Sequence, residues 1–154
     1  MSRTRKLKGN AGKRDSGQHL AIPRIVLECP AYRTLSHVAR SLLLDIAMQY
    51  CGHNNGKLVA CKKYLEPLGW RSADTVTRAK RDLLASGLLI ETRKGARPNK
   101  AAWYGLAWFT LDQSQGLDID PDFFERERKS YRNSLIPCAG IGKVKIAPRY
   151  GTTG

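Results

Sequence analysis

Acidic residues are scarce in this chain of 154: 13 Asp and Glu stand against 27 Lys and Arg, a formal net charge of +14. Cysteine is also sparse, and Cys29, Cys51, Cys61 and Cys138 form no Cys-x-x-Cys pair. Cys51, His53 and Cys61 match no common zinc spacing, so reduced, incidental thiols and no bound metal are expected. The three histidines, His19, His37 and His53, are scattered. No stretch approaches the ~20 apolar residues of a spanning helix. The longest candidate, "SLLLDIAM", is broken by Asp45. The basic N-terminus "MSRTRKLKGNAGKRDSG" lacks an apolar run behind it, which excludes a secretory signal and leaves a cytoplasmic location as the expectation. There is no phosphate-binding glycine loop: "GARPNK" lacks both the strand-loop-helix setting and the Lys-Ser/Thr pair. No Ser-His-Asp set or carboxylate pair stands out either. The chain is expected to be no enzyme, with no catalytic residue, no cofactor and no small-molecule ligand.

What is present is positive charge, unevenly placed. Residues 1–21 carry six bases and one acid, 22–111 carry fourteen and six, and 112–154 carry seven and six. The excess therefore lies in an arm and a presumed core. A polyanion is the implied partner, and nucleic acid is the commonest one. An anionic membrane would want bulky apolar residues opposite the bases on an amphipathic helix. RNA recognition would want exposed aromatics on a sheet, and no such sheet is evident.

One segment concentrates this charge. "GWRSADTVTRAKRDLLASGLLIETRKG", 69–95, opens on a turn, and Ser72 is suited to cap a helix over 72–86 by accepting a bond from an orphan N–H. Asp74 in its first turn meets the positive end of the helix dipole, and Gly87 can take the left-handed conformation that closes it. At roughly 100° per residue, Ala73, Val76, Ala79, Leu83 and Leu84 gather on one side. Arg71, Asp74, Arg78 and Arg81 gather on the other.

The rest of the chain frames that helix. Residues 1–21 read as a disordered basic arm, and "AIPRIVLECPAYRTL" as a short apolar approach punctuated by Pro23 and Pro30. Ser36 caps a helix with Val38, Leu42, Ile46 and Ala47 facing inward. "CGHNNG" is turn chemistry, and "KLVA" is one short strand at most. "CKKYLEPLGW" makes a second helix with Tyr64, Leu65 and Leu68 inward and Lys62 and Lys63 outward, stopped by Pro67 and Gly69. Two helices joined by about three residues around a glycine have the helix-turn-helix layout. Beyond Gly87, "LLIETRK" and "AAWYGLAWF" read as the strands of a hairpin. The alternation in "LLIETR" leaves open whether Leu89 or Ile90 is buried.

In "ARSLLLDIAMQY…NNGKLVACKKYLEPLGW", "TVTRAKRDLLASGLL" and "AWYGLAW", residues 22–111 resemble a winged helix-turn-helix domain of bacterial, plasmid and phage regulators and replication proteins. The expected fold is thus α+β, three helices plus a β-hairpin wing, with the flexible basic arm before it and an extension, 112–154, after it. Lys80 departs from the pattern, since such helices often carry Leu at that inward place, but its stem can run along the core edge. The resemblance implies that the 72–86 helix enters the major groove of double-stranded DNA. Arg78 would then fork onto guanine, with Arg71 and Arg81 on bases or phosphates. Asp74 would accept from cytosine or serve the helix dipole, and Ser72, Thr75 and Thr77 would bond phosphates. Arg93, Lys94, Arg97 and Lys100 in the wing would reach phosphates or a narrow minor groove, and Lys62 and Lys63 before the turn would contact the backbone. Trp103, Tyr104 and Trp108 read as structural.

The extension begins with Asp120 as cap and Pro121 as first residue of a short helix, whose Phe123, Phe124 and Tyr131 could dock on the domain or on a second copy. A flexible tail is expected to follow. The functional expectation is a sequence-specific regulator acting as a homodimer in the bacterial cytoplasm, bound to the nucleoid through DNA. A replication-associated DNA-binding protein or a winged-helix protein-docking module are the alternatives.

Overall fold

Ser36 caps the first long helix as its position predicts, its hydroxyl accepting from the Ala39 N–H at 3.1 Å. The computed structural model describes residues 17–112 and 115–133; most of the expected basic arm and the tail beyond Asn133 lie outside these. Ahead of Ser36, the apolar approach forms two short helices, α1 (Arg24–Glu28) and α2 (Pro30–Arg33). Cys29 joins them, its thiol donating to the Val26 carbonyl at 3.0 Å and accepting from the Tyr32 N–H at 3.4 Å. Pro30 suits a first helical position because its missing N–H is one the helix cannot use there.

Helix α3 (His37–Ala47) buries Ala39, Leu42, Leu43, Ile46 and Ala47. Val38, expected inward, is 44% exposed. The buried arc centres on Ala39, Leu43 and Ile46, which leaves Val38 at its rim. Helix α4 (Lys62–Leu65) buries Leu65, then tightens into a 3-10 turn, Glu66–Leu68. Gly69 at φ 97° ends that turn in the left-handed region. The reversal carries Leu68 outward, and Trp70 takes the inward place with its N–H on the Leu65 carbonyl at 3.2 Å.

Helix α5 (Ala73–Ala85) starts at Ser72, whose hydroxyl accepts from the Thr75 N–H at 3.3 Å. It packs across α3 through Ala79 and Leu83, with Val76 and Leu84 half-buried; Ala73, expected inward, is exposed. Gly87 at φ 72° turns the chain into the hairpin.

Strands β1 (Leu89–Arg93) and β2 (Trp103–Leu106) pair antiparallel, Leu89 opposite Leu106 and Ile90 opposite Gly105, with an irregularity between Glu91 and Arg93. The fold is mixed α+β. Leu58 adds a single bridge to Tyr104. Both Leu89 and Ile90 are buried, so the choice left open by their alternation does not arise. The physical reason is that both faces of the hairpin are covered. On the Leu89 face, Tyr104 lies under α5, with the Lys80 ammonium 5.8 Å from its ring centre. On the Ile90 face, a Cβ at Gly105 would stand 2.8 Å from Phe124, and the Thr92 hydroxyl donates to Gly56.

The second strand stops at Leu106, short of the expected run, because Asn55 captures the chain beyond it. The fully buried Asn55 side chain accepts from the Leu106 N–H at 2.7 Å and donates to the carbonyls of Leu106 and Thr110 at 3.1 and 2.9 Å. Asp120 caps α6 (Pro121–Glu127), and α7 (Ser130–Asn133) follows. Phe124 and Tyr131 are wholly buried in the same core as Leu42, Leu83 and Leu106. They dock on the domain, and Phe123, 44% exposed, is the one aromatic of the three left outside.

Candidate nucleic-acid interface

Two bonds from α3 set the orientation of the turn that precedes α5. The Asp45 carboxylate accepts from the Trp70 indole N–H at 2.6 Å, and the Asp45 carbonyl accepts from the Tyr64 hydroxyl at 2.8 Å. A turn held at both ends presents the next helix at a fixed angle. Arg71 and the cap Ser72 just ahead of that helix, and Asp74, Thr77, Arg78 and Arg81 on it, are all exposed, and Thr75 is half-buried at the rim. The sequence periodicity thus places its outward set correctly.

The outward set is not uniform. Arg78 pairs through Nη2 with the Asp74 carboxylate one turn earlier, both side chains about 70% exposed (69% and 71%). The Thr77 hydroxyl donates to the Ala73 carbonyl at 2.8 Å, which leaves its oxygen to accept from another group. Below the start of α5 a groove of about 210 Å³ runs between α4 and α5, floored by Leu65, Trp70 and Val76. Lys62, Arg71 and Lys80 border it. The periodicity alone gave Lys80 no part in this rim; a lysine at an inward place was the signal, and its ammonium lies over the Tyr104 ring. Lys63 is exposed on α4 and does not line the groove.

The hairpin loop divides the four basic residues expected there. Arg93 is held within the fold: its guanidinium lies 3.2 Å from the centre of the Trp103 ring and donates to the Ala101 carbonyl at 2.7 Å. It braces the root of the loop through Nε and Nη2, both of which donate to the Ala101 carbonyl. Lys94, Arg97 and Lys100 are exposed. The loop is closed by Ala96 and Lys100, whose N–H groups each donate to the other's carbonyl at 2.8 Å.

Asp118 ties this loop to the segment before α6, a link sequence reasoning missed because it spans 24 residues. Its carboxylate accepts from the Lys94 N–H at 3.0 Å and the Lys100 ammonium at 3.4 Å. The backbone bond from Lys94, and then Lys100, hold this carboxyl below its ordinary range. Its own N–H donates to Thr92 at 2.8 Å, extending the edge of β1. Lys100 therefore reaches any polyanion only in competition with Asp118, whereas Lys94 and Arg97 form no ion pair among the described residues.

Among the described residues, no group of three or more His, Cys, Asp or Glu is arranged to hold a metal, and no helix is long and apolar enough to cross a membrane. No protein-family model, curated protein or solved structure matches the chain.

Proposed function

We propose that the chain is a winged helix-turn-helix protein that binds double-stranded DNA, with α5 in the major groove and the β1–β2 loop on the phosphates. The observation that carries this is the exposed face of α5. Arg78 and Arg81 stand there on a helix whose opposite face is buried, with Arg71 exposed just ahead of its cap, in a chain of net charge +14. A major groove admits an α-helix and displays a distinct donor and acceptor pattern for each base pair. Lys62 and Lys63 before the turn, and Lys94 and Arg97 in the loop, supply sequence-independent contacts to phosphate.

The biological role that fits is a sequence-specific regulator of plasmid, phage or bacterial genes, working at the nucleoid in the cytoplasm. One helix of this length reads only a few base pairs, so two copies on a two-part site are the economical arrangement. Sequencing the duplex fragments selected by the purified protein tests the proposal. A single inverted repeat is the expected result. An array of direct repeats would move the role to replication, and recovery of random fragments would remove sequence-specific binding altogether.

A further inference from the structure

The exposed face of α5 contains an anomaly. A surface that meets phosphates gains from every base and loses from every acid, yet Asp74 sits amid Arg71, Arg78 and Arg81. The helix dipole gives a carboxylate some reason to be there. That reason needs only a negative charge in the first turn. It does not need Asp74 to engage Arg78, the residue at the centre of the outward face.

We infer that Asp74 is a specificity-determining residue, which positions Arg78 on a guanine and itself accepts from the amino group of a neighbouring cytosine. This rests on the DNA-binding reading above. The chemistry follows from the atoms left over. Arg78 gives Nη2 to Asp74 Oδ2, and a guanidinium carries five N–H donors in a fixed plane, so its remaining edge can still fork onto guanine O6 and N7. Asp74 Oδ1 is not used in the pair and can accept from cytosine N4. Guanine or thymine at that neighbouring place would turn an acceptor oxygen towards the carboxylate and be rejected.

The pair stands on backbone that is fixed just ahead of it. Asp74 lies two residues beyond the Ser72 cap and four beyond Trp70, which is bonded to Asp45. Pairing with Asp74 biases the long arginine towards one direction, so it loses less freedom when it meets its base. Asp74 thus narrows the sequences accepted, at the expense of affinity for DNA in general.

The experiment selects binding sites from a random duplex pool with the full chain and with Asp74→Asn, Asp74→Glu and Asp74→Ala. Affinities for the best site and a scrambled duplex, and melting temperatures, are measured beside it. For Asp74→Asn and Asp74→Ala the specific-to-scrambled ratio should fall roughly tenfold, through lost discrimination at the position next to the guanine. Scrambled affinity should not fall. Asp74→Glu keeps the charge at the helix start but displaces the carboxylate by one methylene, so its base preference at that position should also change. An unchanged ratio and preference in all three variants overturns the inference while leaving DNA binding intact. A proportional loss on every duplex with a lowered melting temperature makes Asp74 a helix-stabilising residue, and also overturns it. If the wild-type chain itself prefers no duplex, the DNA-binding reading falls first and this one with it.

Discussion

Arg78 and Tyr104 show how one side chain's surroundings fix what its loss should do. Arg78 is 69% exposed and opposite the buried side of α5, so Arg78→Ala should change folding stability by no more than about 0.5 kcal/mol. Its cost should appear in binding: about 1–3 kcal/mol at the specific site, with relaxed preference at one base. Arg78→Lys should recover only part of this, because an ammonium keeps the charge and lacks the planar fork. Binding of the three proteins to specific and scrambled duplexes, with melting curves, checks it; full rescue by Lys on every sequence would mean a phosphate contact. Tyr104 is the opposite case, 2% exposed between the hairpin and α5. Burial, with Glu91 nearby, pushes its phenol up to about 12. An unfolded phenol ionises near ~10, so between the two values the unfolded chain gives up its proton and the folded one does not. Stability should therefore be complete below pH ~10, fall as pH rises towards about 12, and lose at most ~3 kcal/mol from this group. Urea unfolding on either side of that window measures it, and Tyr104→Phe should flatten this part of the loss.

At the scale of elements, the helix ends are what the sequence marks locally. Ser36, Ser72 and Asp120 cap where their side chains allow, Gly69 and Gly87 turn where a left-handed residue is needed, and the outward arginines of α5 follow its period. What could not be read locally depends on partners far along the chain. Arg93 looks like a loop cation until Trp103 and Ala101 are brought against it across the hairpin. "CGHNNG" reads as a turn, and nothing in it announces that Asn55 will be buried and bonded to a segment 51 residues away. The alternation of β1 fails as a guide because α6 covers its second face. That cover makes a sharp expectation. Phe124→Ala should cost about 3–5 kcal/mol, as for other large aromatics removed from a core. Gly105→Ala, whose new methyl would meet Phe124 at 2.8 Å, should cost ~1–3 kcal/mol from the other side of the same contact. Chemical denaturation of both single variants and the double variant tests this; strict additivity would deny that the two positions share one space. A chain cut near Thr110 should lose much of its stability along with Phe124 and Tyr131. Any test of self-association should therefore use Phe123→Glu, which alters the exposed aromatic and spares the buried pair.

For the whole molecule, charge is the property with the longest reach. Residues 22–111 carry fourteen bases against six acids, and the exposed cations of α4, α5 and the hairpin loop draw on that excess. If about six phosphates are neutralised on binding, log K should fall against log salt with a slope near −5. Titration of one duplex at several salt concentrations measures it, and a flat response would exclude a polyanion partner. Changing Lys94 and Arg97 together to Ala should shallow the slope and weaken all duplexes in similar proportion, since contacts to phosphate carry no sequence information.

The burial of Phe124 and Tyr131 also has a consequence in time. A ribosome makes the chain from its N-terminus at ~5–20 residues per second, so the residues that close the second face of the hairpin are among the later ones to emerge. When Leu106 is first added, the face of Ile90 and Gly105 has only the Asn55–Gly56 turn beside it, and it waits for Phe124, 18 residues further along. The nascent protein passes through an interval on the order of seconds in which Ser72 and its arginines are already synthesised but the core beneath them is unfinished.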